Sequence, residues 1–307
     1  MSNLKQPLPP ILEPYGDRIE ATIKPYLDIR LVPDDTLTWW NSKFPGGQIS
    51  RAGLPYLPKG MSYPQTPEGE YLHLLAQINF AEAPSIEPFP QQGILQFFIA
   101  NCDSYGCPYP YQQPWKEFQA NWFQQTIFRI RYFPQPDLNE ANLETNFDFL
   151  PDKNPKVGEV GILCAYPSTC SAIQWSSGKE LMPLEDYQFY DVMFHDLDRS
   201  DFVEEEEFIE EFTEAYETYR GKVALEMRRS QTQGSIRGYT LPDAQIGGYT
   251  LFPQADPRES STDFEGLDEP LDTILLKIPL PEDVLLFYIQ RSDLIRQDFS
   301  RIFYSRS

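Results

Sequence analysis

Apolar residues recur along this chain in two rhythms, and the change from one to the other outlines the fold. From Tyr26 to Gln135 they form short runs cut by Pro and Gly: Tyr26–Val32, His73–Asn79, Ile94–Ala100 and Gln125–Phe133. In the last, Phe128, Ile130 and Tyr132 alternate with Ile127, Arg129 and Arg131, the period of a half-buried strand. Ile162-Leu-Cys-Ala-Tyr166 reads as a strand with a buried thiol, and Val284–Ile289 is the longest clean apolar run. It has strand length, about a third of a membrane span. Ser200–Arg220 follows the other rhythm. Phe202, Ile209, Phe212, Tyr216 and Tyr219 fall mostly at helical spacing among acidic residues. Ser200 or Asp201 is placed to cap this helix, and Gly221 to end it. Shorter helices are predicted over Glu13–Lys24, with Pro25 as the stop, and from Ser292 to Asp298, before a last strand Arg301–Tyr304. The pattern predicts a mainly β (α+β) protein with a few peripheral helices.

The two ends of the chain echo one another. Gly46-Gly47, the Pro-rich Gly53–Pro58, Leu74–Ile78 and Leu95–Ile99 are matched by Gly247-Gly248, Phe252-Pro253, Ile274–Ile278 and Leu285–Ile289. A duplication would assemble two related β units with the acidic helix between them. Chance resemblance among short apolar strands is the competing explanation.

Composition narrows the function classes. The chain has 307 residues, of which 44 are aromatic and 29 are Pro. That is too aromatic for a disordered acidic chain, and the prolines suit turns and sheet edges. Against 25 Lys and Arg stand 46 Asp and Glu, a net charge of −21. No basic cluster is available to neutralise phosphates, so nucleic acid and anionic membranes are poor partners. Residues 182–220 hold 14 acidic and 2 basic residues, a net of −12, leaving −9 for all the rest. No apolar stretch after Met1 has the length of a signal peptide, and the four cysteines are expected to be free thiols, which together indicate the cytoplasm.

Candidate chemistry is sparse. With His73 and His195 the only histidines, and G-x-S-x-G, H-E-x-x-H and phosphate-loop patterns absent, no catalytic set is recognisable. Ser176-Ser-Gly-Lys179 matches S-x-x-K, but its polar setting reads as a turn. Cys102-x4-Cys107 and Cys164-x5-Cys170 are poorly spaced for zinc, so no metal and no cofactor is expected. One segment offers a ligand site: Gln254, Asp256 and Arg258, beside the flexible Gly247 and Gly248, could orient a small polar ligand. Structurally, Asp-Pro starts a turn and Arg258 could pair with Asp256 or with carbonyls. The acidic helix offers another possibility: Glu204, Glu205, Glu206 and Glu207 as part of a docking face for a basic protein, against the plain alternative of a solvated surface.

Ser42–Gly47, Gly53–Gly60, Leu74–Asn79, Gly93–Ile99, Ile246–Arg258 and Asp293–Tyr304 together resemble the YwqG-like family of bacterial proteins, in that family's order. The resemblance implies a roll-like, mainly β single domain over 1–307, with a helix and lead-in strand at 1–34 and an acidic helical insert at 182–221. It implies no established activity. One departure is the direct run through Pro279–Asp283, where the family carries a Gly- and Trp-containing segment. The expected function is a non-enzymatic, cytoplasmic interaction module for a basic partner, immunity-type in one version. The alternative is a ligand binder or enzyme using Gln254, Asp256 and Arg258.

Overall fold

Short apolar strands must find partners for their backbone N–H and C=O groups, and here they find them in one sheet. The computed structural model describes residues 6–46, 50–100, 107, 123–150, 169–196, 206–229, 243–250, 258, 267, 269–280 and 284–306. Among these residues ten strands are formed: β1 Lys24–Pro33, β2 Lys43–Phe44, β3 His73–Asn79, β4 Ile94–Ile99, β5 Phe128–Phe133, β6 Ser171–Glu180, β7 Ala244–Gly247, β8 Thr273–Pro279, β9 Val284–Ile289 and β10 Phe303–Arg306. They pair antiparallel in the order β10-β9-β8-β7-β1-β6-β2-β3-β4-β5. The mainly β expectation is met.

That order is symmetric about its middle. β2-β3-β4-β5 run outward on one side and β7-β8-β9-β10 on the other, so the strands of the sequence echo occupy equivalent places. The equivalence extends to detail. β3 shifts register between Leu74 and Ala76 against β4, and β8 shifts between Ile274 and Leu276 against β9. Lys43 of β2 faces Gln77 of β3, while Gln245 of β7 faces Lys277 of β8, the same residue pair with its members exchanged. The first strands are also exchanged. β1 lies against β7, and β6 lies against β2.

The sheet curls until its two ends meet. Phe97 of β4 contacts Phe287 of β9 at 5.1 Å, and Phe128 of β5 contacts Tyr304 of β10 at 5.4 Å. Phe287 and Tyr304 stack at 4.1 Å. Alternate side chains from both halves, including Ile29, Phe44, Ile78, Ile246, Ile278 and Leu285, fill the enclosed core. Gln125 spans the gap between the ends. Its Oε1 accepts from the Ile130 amide of β5, and its Nε2 donates to the Phe299 carbonyl.

Among the described residues four α-helices accompany the sheet: α1 Gly16–Ala21, α2 Phe189–Phe194, α3 Glu206–Arg229 and α4 Arg291–Arg296. The first three join an aromatic cluster in which Tyr15, Phe194 and Phe212 meet at 4.8–5.8 Å. Several expectations are corrected. α1 ends at Ala21, short of Pro25, because Thr22 folds its hydroxyl back onto the Ile19 carbonyl and Lys24 already begins β1. α3 does not end at Gly221 but runs through it to Arg229, because burial of Tyr219 and Val223 on either side holds the turn helical. Its proposed caps, Ser200 and Asp201, lie outside the described residues. Ser176–Lys179 is not a turn. It lies within β6, paired with Pro25–Asp28 of β1. The last strand is shifted to Phe303–Arg306, and the Cys164 run lies outside the described residues.

Candidate functional site

The segment that promised a ligand site turns inward at its one described residue. The Arg258 side chain is 3% exposed, and its guanidinium lies 3.2 Å from Asp186, itself 3% exposed. It also donates to the Leu271 carbonyl and lies against the rings of Tyr187 and Tyr288, at 4.7 and 4.8 Å. The other oxygen of Asp186 caps the turn into α2 by accepting from the Gln188 amide. Arg258 therefore ties the sheet to the helical layer. Gln254 and Asp256 lie outside the described residues. Gly247 and Gly248, both at φ +69°, are buried at the end of β7. A Cβ on Gly247 would stand 2.6 Å from the Pro25 carbonyl, and one on Gly248 would stand 2.2 Å from Glu180. Glycine is needed there because the chain bends sharply against β1.

A second buried cation escaped the sequence reading. Lys43 is fully enclosed, yet among the described residues no carboxylate forms a salt bridge with it. Its ammonium donates to the carbonyls of Thr38, Ala52 and Leu54 at 2.6–3.0 Å, satisfying all three of its protons. Burial pulls it down to about 8, and the three acceptors hold the proton at neutral pH. Beside it, Gln77 binds the Trp39 and Asn41 carbonyls and the Tyr56 amide, and Gln96 donates to Gln77 and the Tyr56 carbonyl. This polar core fastens the loops on either side of β2 onto the sheet. Its signal in the sequence was Gln77 and Gln96, polar residues inside apolar strands.

Those loops shape two surface pockets, each of about 270 Å³. One lies between Thr36–Trp40, Arg51 and Glu140. Its polar groups satisfy one another, since Glu140 accepts from the Trp39 indole at 2.9 Å and sits 3.8 Å from Arg51. The other is lined by Tyr63, Tyr71 and Phe149 with Met61, Leu57 and Glu144. The sequence offered only a local density of aromatics as a sign of it.

The acidic helix is the other candidate. Its buried stripe, Phe212, Tyr216, Tyr219 and Val223, packs on Met182, Phe189 and Tyr249. The Tyr216 hydroxyl donates to the Met182 carbonyl, and that of Tyr219 to the Gln6 carbonyl. On the outer side Glu206, Glu207, Glu210, Glu211 and Glu214 are exposed. Among the described residues none of the five forms a salt bridge, whereas Glu217 pairs with Arg220 at 3.1 Å. Glu204 and Glu205 lie outside the described residues.

His73 is half-buried in β3, and burial pushes its imidazole below the ordinary value. Cys107 and Cys170 are buried and form no disulfide among the described residues; the Cys107 thiol donates to the Tyr304 carbonyl, and burial raises Cys170 to about 11. Among the described residues, no group of three or more His, Cys, Asp or Glu is placed to hold a metal ion, and no helix is long and apolar enough to cross a membrane.

A search of curated proteins returned no match. The model of a family described as a domain of unknown function, DUF1963, matches residues 50–306, from just after β2 to the end of β10. That match takes in most of the chain, with the pocket of Tyr63, Tyr71 and Phe149 and the acidic helix, and the protein belongs to the DUF1963 family.

Proposed function

We propose that this protein is a non-enzymatic interaction module whose acidic helix face docks a basic protein partner. In this reading it acts in the cytoplasm as a single YwqG-like domain, and neutralising a basic toxin or nuclease is a use consistent with it. The supporting observation is that Glu210, Glu211 and Glu214 on α3 are exposed and form no salt bridge among the described residues. Glu206 and Glu207 sit in the first turn, where the helix dipole favours negative charge. The next three lie beyond that turn. Glu206/Glu210, Glu207/Glu211 and Glu210/Glu214 are all like-charged pairs one turn apart, a spacing that destabilises a helix. A helix that keeps such repulsion gains from a partner that supplies cations. With Arg258 enclosed against Asp186, the competing ligand-site reading has lost its cation.

The test is capture of partners from the native host at low and high salt, with the intact protein and with a variant carrying Gln at 206, 207, 210, 211 and 214. We expect a basic protein retained at about 0.05 M salt, released near 0.5 M, and lost in the variant. A partner insensitive to both salt and the variant, or none at all, overturns the reading.

A further inference from the structure

We propose that the pocket walled by Tyr63, Tyr71 and Phe149 binds an alkylated ammonium group, held by the aromatic rings and the carboxylate of Glu144. This site lies apart from the acidic helix, and neither proposal depends on the other.

The three rings meet steeply. Tyr63 and Tyr71 lie 5.8 Å apart at 76°, Tyr63 and Phe149 5.6 Å apart at 69°, and Tyr71 and Phe149 5.0 Å apart at 47°. Rings inclined in this way form a floor and walls rather than a stacked block. Tyr63 is the floor, buried on Phe98 of β4 at 5.5 Å, and Tyr71 is a half-buried side. Phe149 and Met61, 39% and 42% exposed, stand among the pocket's lining residues as large apolar groups open to solvent. Apolar side chains gathered around a concavity are the expected lining of a ligand site.

Glu144 supplies the charge. Its Oε1 accepts from the amides of Thr145 and Asn146, which fix the carboxylate, while its Oε2 takes no hydrogen bond from a described residue. Ring faces and a carboxylate all attract a cation.

The lining favours an alkylated cation. Five of its eight residues, Tyr63, Tyr71, Phe149, Met61 and Leu57, give ring or aliphatic carbon surface, with Ser62, Gln65 and Glu144 as the other three. A methylated nitrogen has few or no N–H groups to satisfy and presents methyls that pack on rings and thioether. A trimethylammonium group is small beside a volume of about 270 Å³, leaving room for its tether.

The experiment titrates the intact protein with choline, with its neutral isostere 3,3-dimethylbutan-1-ol, and with a short peptide bearing trimethyl-lysine, read by saturation-transfer NMR and calorimetry. Choline or the peptide is expected to bind at least about fivefold more tightly than the neutral alcohol. Stronger binding of the peptide assigns the group to a protein side chain, and equal or stronger binding of choline assigns it to a small metabolite. Glu144→Gln keeps the Oε1 acceptor and removes the charge, and Phe149→Ala trims an exposed wall. Each should weaken ammonium binding by about fivefold or more with unchanged melting. Equal binding of choline and the alcohol, no binding of either ammonium probe, or full binding by both variants overturns the proposal.

Discussion

The protein holds its two most enclosed cations by different chemistry, and the difference decides what each substitution does. Arg258 is balanced by a buried carboxylate, so Arg258→Met strands the charge of Asp186. Denaturant unfolding should show a loss of about 3–5 kcal/mol. Lys43 is held by carbonyl dipoles, with the charge of exposed Glu82 nearby, so Lys43→Met leaves three carbonyls unmet but strands no buried carboxylate. His73 gives the pH dependence. Its folded value lies below the ordinary 6.5, so the unfolded chain binds the proton more readily. The stability it contributes is complete above pH 6.5 and is lost as pH falls through the lower folded value. His73→Gln should flatten the fall in melting temperature between pH 7 and 5, and an unchanged slope would assign that fall to other groups. Arg258 stood out in the sequence through Asp-Pro-Arg, but Asp186, far away in the chain, did not. Nothing local distinguishes the acid that becomes a partner from the many that stay in water.

Elements were more legible than their ends. The runs His73–Asn79 and Val284–Ile289 coincide with β3 and β9, since a short, mostly apolar run of six or seven residues suits a strand buried on both faces. β6 was hidden because Ser176-Ser-Gly-Lys179 is polar. That strand takes its shape from pairing with β1 rather than from its own burial. The end of α3 was misplaced for a similar reason, as packing of Val223 outweighs the helix-ending tendency of Gly221. Gly221 is exposed in the helix, and a Cβ there would meet nothing within 4 Å. Gly221→Ala should therefore raise stability by about 0.5–1 kcal/mol in chemical unfolding, through relief of backbone entropy alone.

At the scale of the molecule the exchanged first strands govern integrity. The family match begins at residue 50, yet β1 and β2 precede it, and β1 is central to the sheet, paired with both β6 and β7. A chain trimmed to 50–306 would expose the facing edges of both halves. We expect it to lose cooperative unfolding and to aggregate, while trimming only residues 1–5 should leave the melt intact. A sharp native-like transition in the 50–306 chain would refute this. The echo between the chain ends was visible in the sequence, but the exchange was not, because β1 and β6 carry no mark saying which half each will join. The exchange also sets a timetable for synthesis. β1 emerges from the ribosome first, but β7 follows more than two hundred residues later. At about 5–20 residues per second that is a wait on the order of 10–40 s. β6 is made on the way and gives β1 one partner by residue 180, but the other edge of β1 stays open until β7 arrives. Proteolysis of stalled chains should show residues 24–33 partly protected once residue 180 is out and fully protected only beyond residue 247. Such a nascent chain carries unpaired edges for most of its birth, so its yield in the cell is set by what shields those edges until the last third is made.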